Sequence, residues 1–139
     1  MPTRKPMVLV VDDDAITCDL ISELLELEGY GVQHAEDGGS GLSRLLEGGV
    51  DLALVDMRMP GLGGLDVCSR LRARENGQRV PIIMLTALPG EVQPYALAAG
   101  ADDLLAKPFD IDELLGKVRM WTQGHTTEAH VPDSPNRPH

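Results

Sequence analysis

The sequence predicts an α/β fold with a five-stranded parallel sheet and helices on both of its faces. Five short apolar runs recur along the chain, at 7–11, 30–35, 51–55, 80–85 and 103–106. Most of these runs are continuous and do not alternate with polar residues, which is typical of strands covered on both faces. The segments between them have helical spacing and are long enough for right-handed crossover connections. A strand-helix unit repeated five times follows from this pattern.

Apolar stripes at helical spacing predict the five helices, and each stripe is expected to face the core. The stripes are, in chain order, Ile16, Leu20, Leu24 and Leu27; Leu42, Leu45 and Leu46; Leu65, Cys68 and Leu71; the weaker pair Leu97 and Ala98; and Ile111, Leu114, Leu115, Val118 and Trp121. Gly29 is suited to end the first helix, because glycine readily adopts the left-handed conformation found after helices.

The fourth helix carries the weakest signal. Leu88-Pro89-Gly90 is a turn pattern, and proline in a helix interior removes a hydrogen bond. Pro94 is therefore expected at the first position of a short helix.

The chain has 139 residues, which is the size of one domain with short extensions. We expect an N-terminal arm over 1–6, the domain over 7–121 and a flexible tail over 122–139, which contains three prolines and no periodicity. On these boundaries we expect no room for a second domain. Three histidines at 125, 130 and 139 lie in the tail, where a disordered segment is favoured over a weak metal site.

Composition excludes several functions. Twenty-two acidic residues against twelve basic ones give a net charge of −10, which argues against binding nucleic acid or an anionic membrane. There is no apolar run of about 18 residues and no signal-peptide pattern. Cys18 and Cys68 show no CxxC spacing, so we expect reduced thiols in a cytoplasmic protein.

The functional signal is a set of polar residues at the carboxyl ends of the predicted strands. They are Asp12, Asp13 and Asp14 after the first strand, Asp56 at the third, Thr86 at the fourth and Lys107 at the fifth. In open parallel sheets these ends form the binding edge. An acid after a strand is often only a helix cap, and Asp13 or Asp14 fits that role. Asp56 does not, because Pro60 and several glycines follow it.

Clustered carboxylates raise one another's pKa, and a hard cation such as Mg²⁺ removes that cost. An ionised aspartate can attack phosphorus without a general base, which would give an aspartyl phosphate. The new phosphoryl oxygens need countercharge and donors, and a lysine, a hydroxyl and backbone N–H groups can supply them.

Four motifs in this order resemble the bacterial response-regulator receiver domain, from about residue 7 to residue 121. The motifs are Val8-Leu9-Val10-Val11-Asp12-Asp13-Asp14, Asp51-Leu52-Ala53-Leu54-Val55-Asp56-Met57-Arg58-Met59-Pro60-Gly61, Pro81-Ile82-Ile83-Met84-Leu85-Thr86-Ala87 and Gly100-Ala101-Asp102-Asp103-Leu104-Leu105-Ala106-Lys107-Pro108-Phe109. The resemblance implies a flavodoxin-like (βα)5 fold with strand order 2-1-3-4-5. It also implies a cis peptide bond between Lys107 and Pro108.

The resemblance assigns roles to individual residues. Asp56 would be the phosphoacceptor, and Asp13 and Asp56 would ligate Mg²⁺ together with the backbone carbonyl of Arg58, while Asp12 would act mainly through water. Lys107 would pair with the phosphoryl oxygens, and Thr86 would donate its hydroxyl to them. A further set would line the phosphate or act in switching: Met57, Ala87 and Leu104.

A phosphoacceptor of a two-component phosphorelay is the function that the resemblance implies. The phosphoryl group would come from a histidine kinase or phosphotransferase, and the protein would act catalytically only on itself. A downstream protein would bind the fourth helix, fifth strand and fifth helix, and the chain would be a monomer or a phosphorylation-dependent dimer. Three alternatives remain: a degenerate docking module, the N-terminal part of a longer regulator, and an aspartate phosphatase, which Arg58 disfavours because such enzymes carry an acid at that position.

Several residues depart from the family pattern. Leu104 stands where a switch aromatic is usual, Gly63 where an acid or asparagine is common, and Ala106 where threonine is common.

A basic cluster lies on or after the third predicted helix and consists of Arg70, Arg72, Arg74 and Arg79. We interpret it as a solvated helix face. The alternative is a docking patch for an acidic partner.

Overall fold

Five strands and five helices alternate along residues 4–74 and 79–123, the part of the chain that the computed structural model describes. The strands are β1 (Met7–Val11), β2 (Gly31–Ala35), β3 (Leu52–Asp56), β4 (Ile82–Thr86) and β5 (Asp103–Ala106). The helices are α1 (Ala15–Leu27), α2 (Gly38–Leu46), α3 (Gly64–Arg74), α4 (Pro89–Ala99) and α5 (Ile111–Gln123). All neighbouring strands pair in parallel in the order β2-β1-β3-β4-β5, so the α/β fold and its implied strand order are confirmed.

Two apolar layers cover the sheet, one on each face. In β1, Val8 and Val10 pack with α1 and α5 on one face, while Leu9 and Val11 pack with α2, α3 and α4 on the other. The same alternation holds in β3 and β4, all of whose residues are buried. Burial on both faces is the reason why these strands are continuous apolar runs in the sequence.

The predicted inward stripe of α1 is wrong apart from Leu24, which is half-buried against the core. Ile16 and Leu27 are 78% and 83% exposed, and the residues that face the sheet are Cys18, Ile21 and Leu25. Both sets have helical spacing, so periodicity alone could not choose between them. The rotation of the helix depends on how it leaves β1, and there Asp14 is the N-cap that accepts a hydrogen bond from the backbone N–H of Ile16 at 3.1 Å. Gly29 follows the helix with a φ of 96°, as predicted.

The start of α4 was also predicted wrongly. Pro89 stands in the first turn, where its missing N–H costs nothing, and Pro94 lies inside the helix. Leu97 and Ala98 are exposed, and Ala96 is the residue of this helix that is fully buried. The turn pattern at 88–90 is therefore the beginning of the helix and not a separate loop.

The described chain ends in α5. α5 ends at Gln123, two residues past the predicted limit, and buries Leu114, Val118 and Thr122, while Ile111 is 46% exposed. The remainder of the predicted tail, with its three histidines, lies outside the described residues. Within the described residues, no helix combines the length and the apolar character needed to cross a membrane.

Candidate functional site

The carboxyl ends of four strands bring the predicted site residues together. Asp12 directly follows β1, Asp56 ends β3, Thr86 ends β4 and Lys107 directly follows β5. Register explains the meeting, because β4 lies between β3 and β5 and the backbone N–H of Lys107 donates to the carbonyl oxygen of Thr86 at 2.8 Å. These four residues therefore lie at one edge of the sheet, as the sequence predicted.

Asp12 is a buried carboxylate whose two oxygens are both engaged. Oδ2 accepts a hydrogen bond from Lys107 Nζ at 3.0 Å, and Oδ1 accepts one from the backbone N–H of Asp14 at 2.9 Å. Behind it, the Cys18 thiol donates to the Asp12 carbonyl oxygen at 3.4 Å. Burial raises the pKa of Cys18 to about 11, so the thiol keeps the proton that it donates.

Three carboxylates form a group that can hold a cation. One oxygen each from Asp12, Asp13 and Asp56 lies within 4.8 Å of the other two. Asp13 is exposed, whereas Asp12 and Asp56 are buried. A cluster of oxygen ligands with one side open to water fits Mg²⁺, which retains several waters in protein sites.

Asp56 is held in an environment that disfavours its charge. Desolvation by burial is the main cause that raises its pKa, and repulsion from Asp12 adds to it, while Lys107 acts in the opposite direction. The pKa of Asp56 lies at about 6 as a result. A carboxylate at this pKa is ionised at neutral pH but gains from any cation that approaches it.

Lys107 stands between the two buried acids. Its Nζ lies 3.0 Å from Asp12 Oδ2 and 3.6 Å from Asp56 Oδ1. Partial burial acts to lower the pKa of Lys107, but the hydrogen bond with Asp12 and the charges of both carboxylates outweigh it, so the pKa is raised. The ammonium is therefore permanently charged. The peptide bond between Lys107 and Pro108 is cis, as the resemblance implied.

Thr86 uses its hydroxyl oxygen to hold the start of α4. Oγ1 accepts a hydrogen bond from the backbone N–H of Leu88 at 3.1 Å. Thr86, Asp56 and Lys107 also line one cavity. The other lining residues are Met57, Arg58, Ala87, Leu88 and Val92. The site therefore continues into a partly apolar cavity below the first turns of α4.

The remaining predicted residues occupy different positions around the site. The exposed Arg58 and Ala87 and the half-buried Met57 lie at the cavity. Leu104 is half-buried and packs against the core layer beneath α2, α3 and α4. Leu104 is therefore not among the residues that line the cavity.

Gly64 is required for the backbone geometry behind the site. A Cβ at this position would lie 2.5 Å from the carbonyl oxygen of Asp56 and 2.9 Å from Cα of Met57. The backbone N–H of Gly64 instead donates to the carbonyl oxygen of Met57 at 3.0 Å. Sequence spacing does not reveal this requirement, because a close backbone approach leaves no local signal.

One of the four arginines interpreted as a solvated face, Arg72, is largely buried in a polar network. Arg72 donates to the carbonyl oxygens of Gly100 and Val80 at 2.9 and 2.8 Å and to Asp102 Oδ2 at 2.9 Å. Arg79 also pairs with Asp102. Arg70, Arg74 and Arg79 are exposed, so the solvated interpretation is wrong for Arg72, and Arg79 combines exposure with an ion pair. The network joins Arg72 to Gly100 and Asp102, which are distant from it in the sequence, so sequence spacing could not reveal it.

Comparison with known proteins identifies the family. The model of the response regulator receiver domain matches residues 8–119. The chain belongs to this family, and it is therefore a receiver domain of two-component response regulators.

Relatives extend this assignment. The chain is 43% identical over 116 residues to "DNA-binding dual master transcriptional regulator RpaA" of Synechocystis sp., covering 82% of this chain and 48% of that protein. It is 40% identical over 136 residues to "Response regulator MprA" of Mycobacterium sp. (strain KMS), covering 97% of this chain and 56% of that protein. The chain thus spans about half the length of these curated relatives.

A solved structure agrees with the fold. The receiver domain of sensor histidine kinase PA1611 from Pseudomonas aeruginosa PAO1 superposes with a TM-score of 0.78 at 35% identity, over 86% of this chain and 99% of that one. That structure is described as having a magnesium ion coordinated in the active site cleft.

Proposed function

We propose that Asp56 accepts a phosphoryl group from the phosphohistidine of a histidine kinase or phosphotransferase. The observation that carries the proposal is the arrangement of three charges: a buried Asp56, the carboxylate of Asp12 beside it, and Lys107 Nζ 3.6 Å from its oxygen. A carboxylate oxygen of Asp56 would attack phosphorus while the phosphorus–nitrogen bond of the donor breaks, and the electron pair leaves with the imidazole nitrogen.

Residues around Asp56 are suited to the product. Lys107 carries a permanent positive charge that can pair with a phosphoryl oxygen, and Thr86 can donate its hydroxyl. Asp12 already binds Lys107 and so holds the ammonium in position before phosphate arrives. The protein supplies orientation and electrostatic stabilisation, which is how phosphoryl transfer is generally catalysed.

The donor set fits Mg²⁺. Asp13 and Asp56 would ligate it, with the backbone carbonyl of Arg58, while Asp12 would act mainly through water because Lys107 and the Asp14 N–H already engage it. When bound, the ion would neutralise charge on the transferring phosphoryl group. The magnesium described for the PA1611 receiver supports this assignment.

The aspartyl phosphate would act as a signal, and the protein would turn over no separate substrate. Phosphorylation would shift a pre-existing equilibrium between two conformations and change the affinity for a downstream protein. We place that contact on α4, β5 and α5. The reduced state expected for the buried Cys18 and Cys68 supports a cytoplasmic location.

The phosphorylated receiver can act on its target in two ways, alone or as part of a longer regulator. The acidic charge of −10 supports contact with proteins over direct binding of nucleic acid. However, RpaA is named a DNA-binding regulator, and the chain spans about half of it, so this receiver can equally serve as one part of a longer regulator.

Intact-mass spectrometry with a small phosphodonor tests the proposal. Wild-type protein with Mg²⁺ is expected to gain one acid-labile phosphoryl group. Asp56→Asn should gain none, and Asp66→Asn, an exposed acid on α3, should behave as wild type. If the wild type gained no phosphoryl group, the degenerate docking module would be favoured. If Asp56→Asn gained as much phosphoryl group as the wild type, another residue would be the acceptor.

A further inference from the structure

The two edges of the sheet differ in how their outer backbone groups are protected. β2 and β5 are the edge strands, because the strand order is β2-β1-β3-β4-β5. β5 begins with Asp103, whose carboxylate binds Lys117 at 2.7 Å and Trp121 at 2.9 Å, so charged and bulky groups stand at that edge. β2 has the sequence GVQHA, which contains no proline and, with a neutral histidine, no charge. Natural proteins place charges or prolines on edge strands to prevent pairing with a further strand, so β2 is the unprotected edge.

The backbone groups of Val32 and His34 point away from the sheet. On the inner side, the N–H of Gly31 and the carbonyl oxygen of Ala35 bond to the residues that flank β1, at 3.0 and 3.1 Å. The direction of these groups alternates along a strand in a parallel pair, so residues 32 and 34 turn theirs outward. Within residues 4–74 and 79–123, no strand pairs with this outer side. Val32 and His34 therefore offer their N–H and C=O groups to a partner strand.

The face of β2 beside α2 leaves room for a neighbouring strand. Gly41 allows α2 to lie close to β1, since a Cβ at this position would be 2.7 Å from Cγ1 of Val11. An open cleft remains between α2 and β2, and Leu9, Gln33 and Ala35 are among the residues that line it. A further strand can therefore approach β2 without displacing α2.

We propose that β2 pairs antiparallel with β2 of a second copy of this chain, about a twofold axis at Gln33. This register places Val32 opposite the second copy's His34, and residues paired in this way exchange two backbone hydrogen bonds. Symmetry produces the same pair on the other side of the axis, so every outward N–H and C=O of both residues is bonded. A contact that uses the same surface on both copies closes with two copies and does not extend into a filament.

Gln33 suits the position on the axis. The two copies of this residue face each other as a pair without backbone hydrogen bonds, in which the Cα atoms lie about 4.5 Å apart. Oε1 of Gln33 accepts a hydrogen bond from Arg44 Nε at 2.7 Å, which orients the amide and leaves its NH2 group to donate. The NH2 group can bind Oε1 of the other copy, because an amide oxygen has two lone pairs. The axis thus carries a neutral, self-complementary side chain.

Charges beyond the two ends of β2 are complementary under this symmetry. Glu36 follows the strand, and Lys5 lies two residues before Met7, which pairs with Gly31 at the start of β2. Antiparallel pairing therefore brings the Glu36 end of one copy to the Lys5 end of the other.

Both of these side chains are available for that contact. Lys5 and Glu36 are exposed, and neither forms an ion pair within the described part of the chain. Asp37, the next acid, already caps α2. The net charge of −10 opposes association of two copies in general, so a contact is favoured where the local charges are complementary.

The contact leaves the candidate phosphorylation site free. Asp56 ends β3, Thr86 ends β4 and Lys107 follows β5, so all three lie on the far side of β1 from the outer edge of β2. Because the two sheets run antiparallel, the two sites would face opposite directions on one continuous sheet. Pairing at β2 therefore needs no phosphoryl group, unlike the phosphorylation-dependent dimer that the family resemblance implies, and it does not rest on the proposed role of Asp56.

Sedimentation equilibrium of the unphosphorylated full chain, from about 10 µM to about 1 mM, tests the contact. We expect a monomer–dimer equilibrium with a dissociation constant on the order of 100 µM, because an edge strand is small compared with the interfaces of tight dimers.

Two variants of β2 should weaken the dimer. His34→Pro removes an outward N–H from each copy without removing a bond to β1, and should raise the dissociation constant at least about tenfold. Gln33→Lys places like charges opposite each other at the axis and should raise it about tenfold. Gln93→Lys makes the same change on the exposed surface of α4 and is the matched control, which should leave the dissociation constant unchanged. If His34→Pro fails to fold, Gln33→Lys decides.

Charge reversal tests the antiparallel register. Lys5→Glu and Glu36→Lys should each raise the dissociation constant about tenfold, because symmetry places two contacts between these residues in every dimer. The double variant should restore the wild-type value, which a merely structural effect of either substitution would not do. A double variant that dimerises more weakly than both single variants would contradict the register.

Amide hydrogen exchange distinguishes a second copy from other occupants of the edge. In dilute protein the amides of Val32 and His34 should exchange freely, and their protection should rise with protein concentration. The amide of Gly31, which bonds inward, should be protected at every concentration. Protection of Val32 and His34 in the monomer would mean that another segment of the same chain covers β2, which would overturn the proposal.

Three further results would overturn it. The chain could remain monomeric at about 1 mM, although the expected dissociation constant lies well below that concentration. A dimer could be unaffected by both His34→Pro and Gln33→Lys, which would place the contact on another surface. Finally, beryllofluoride with Mg²⁺ should leave the dissociation constant unchanged, and a dimer that formed only in its presence would also place the contact elsewhere. Intact mass with a phosphodonor reports separately on Asp56, so failure of the proposed function would leave these results decisive.

Discussion

Asp56→Asn is expected to make the metal-free protein more stable at neutral pH. In the wild type, Asp56 is 7% exposed and lies beside the carboxylate of Asp12. Asparagine has nearly the same shape but carries no charge to desolvate, so the variant avoids a cost that the wild type bears. The cost exists because the buried carboxylates of Asp12 and Asp56 outnumber the ammonium of Lys107, and the proposed cation would balance the remaining charge.

The magnitude follows from the pKa of Asp56, which is raised from 3.8 to about 6 by burial and by Asp12. Below pH 3.8 the carboxyl is protonated in the folded and unfolded states, and the charge costs nothing. As pH rises toward 6, the folded state retains a proton that the unfolded chain releases, and stability falls. The full cost, about 3 kcal/mol at roughly 1.4 kcal/mol per pKa unit, is present at pH 7.

Urea unfolding followed by Trp121 fluorescence measures the effect. Trp121 donates its indole N–H to Asp103, the first residue of β5, at 2.9 Å, so it reports unfolding from a position away from the site. With a chelator present, Asp56→Asn should exceed the wild type by about 2–3 kcal/mol at pH 7 and by well under 1 kcal/mol at pH 4. The exposed control Asp66→Asn should change stability by less than about 0.5 kcal/mol at either pH.

The reasoning would be refuted if Asp56→Asn were no more stable than the wild type at pH 7, or if the gain were the same at pH 4. Saturating Mg²⁺ should reduce the gain, because a ligand that binds only the folded wild type stabilises it. If Mg²⁺ left the stability difference between Asp56→Asn and the wild type unchanged, the proposed binding of Mg²⁺ at Asp56 would be contradicted.

Three further predictions address the other parts of the site. Lys107→Ala should retain the fold but slow modification of Asp56 by a small phosphodonor about tenfold or more, as for loss of one electrostatic stabiliser, and an unchanged rate by intact mass would contradict its role. Gly64→Ala should lower the free energy of unfolding by about 1–3 kcal/mol, because the added Cβ would meet backbone atoms. The control Gly116→Ala has open space around it in α5 and should raise the free energy of unfolding by up to about 1 kcal/mol. Equal effects of the two variants in urea unfolding would refute the packing argument. Asp13→Asn should weaken Mg²⁺ binding measured by calorimetry without a comparable change in stability, since Asp13 is exposed, and unaltered affinity would exclude it as a ligand.

The positions of the strands and of the binding edge could be predicted because both depend on local patterns. Strands buried on two faces must be apolar at every position, as β3 and β4 are, and such runs are recognisable in a sequence. Parallel connection then places the residues at their carboxyl ends on one edge. Asp12, Asp56, Thr86 and Lys107 could therefore be grouped although they are distant in sequence.

Helix orientation and long-range polar contacts could not be predicted in the same way. The stripe of Ile16, Leu20 and Leu27 and the buried set with Cys18 and Ile21 both have helical period, and only the path from β1 into α1 selects between them. A helical period specifies a face of the helix but not its rotation against the sheet.

The sequence by itself determined the architecture, the family and the identity of the acids, hydroxyl and lysine at the edge, because these follow from apolar periodicity and from motifs that are contiguous in the chain. The tertiary structure alone decided the energetics. It buries Asp56 beside Asp12 and so raises its pKa, it joins Thr86 to Leu88, and it encloses Arg72 against Gly100. Desolvation and charge–charge interaction depend on distance in space, and no spacing along a chain encodes that distance.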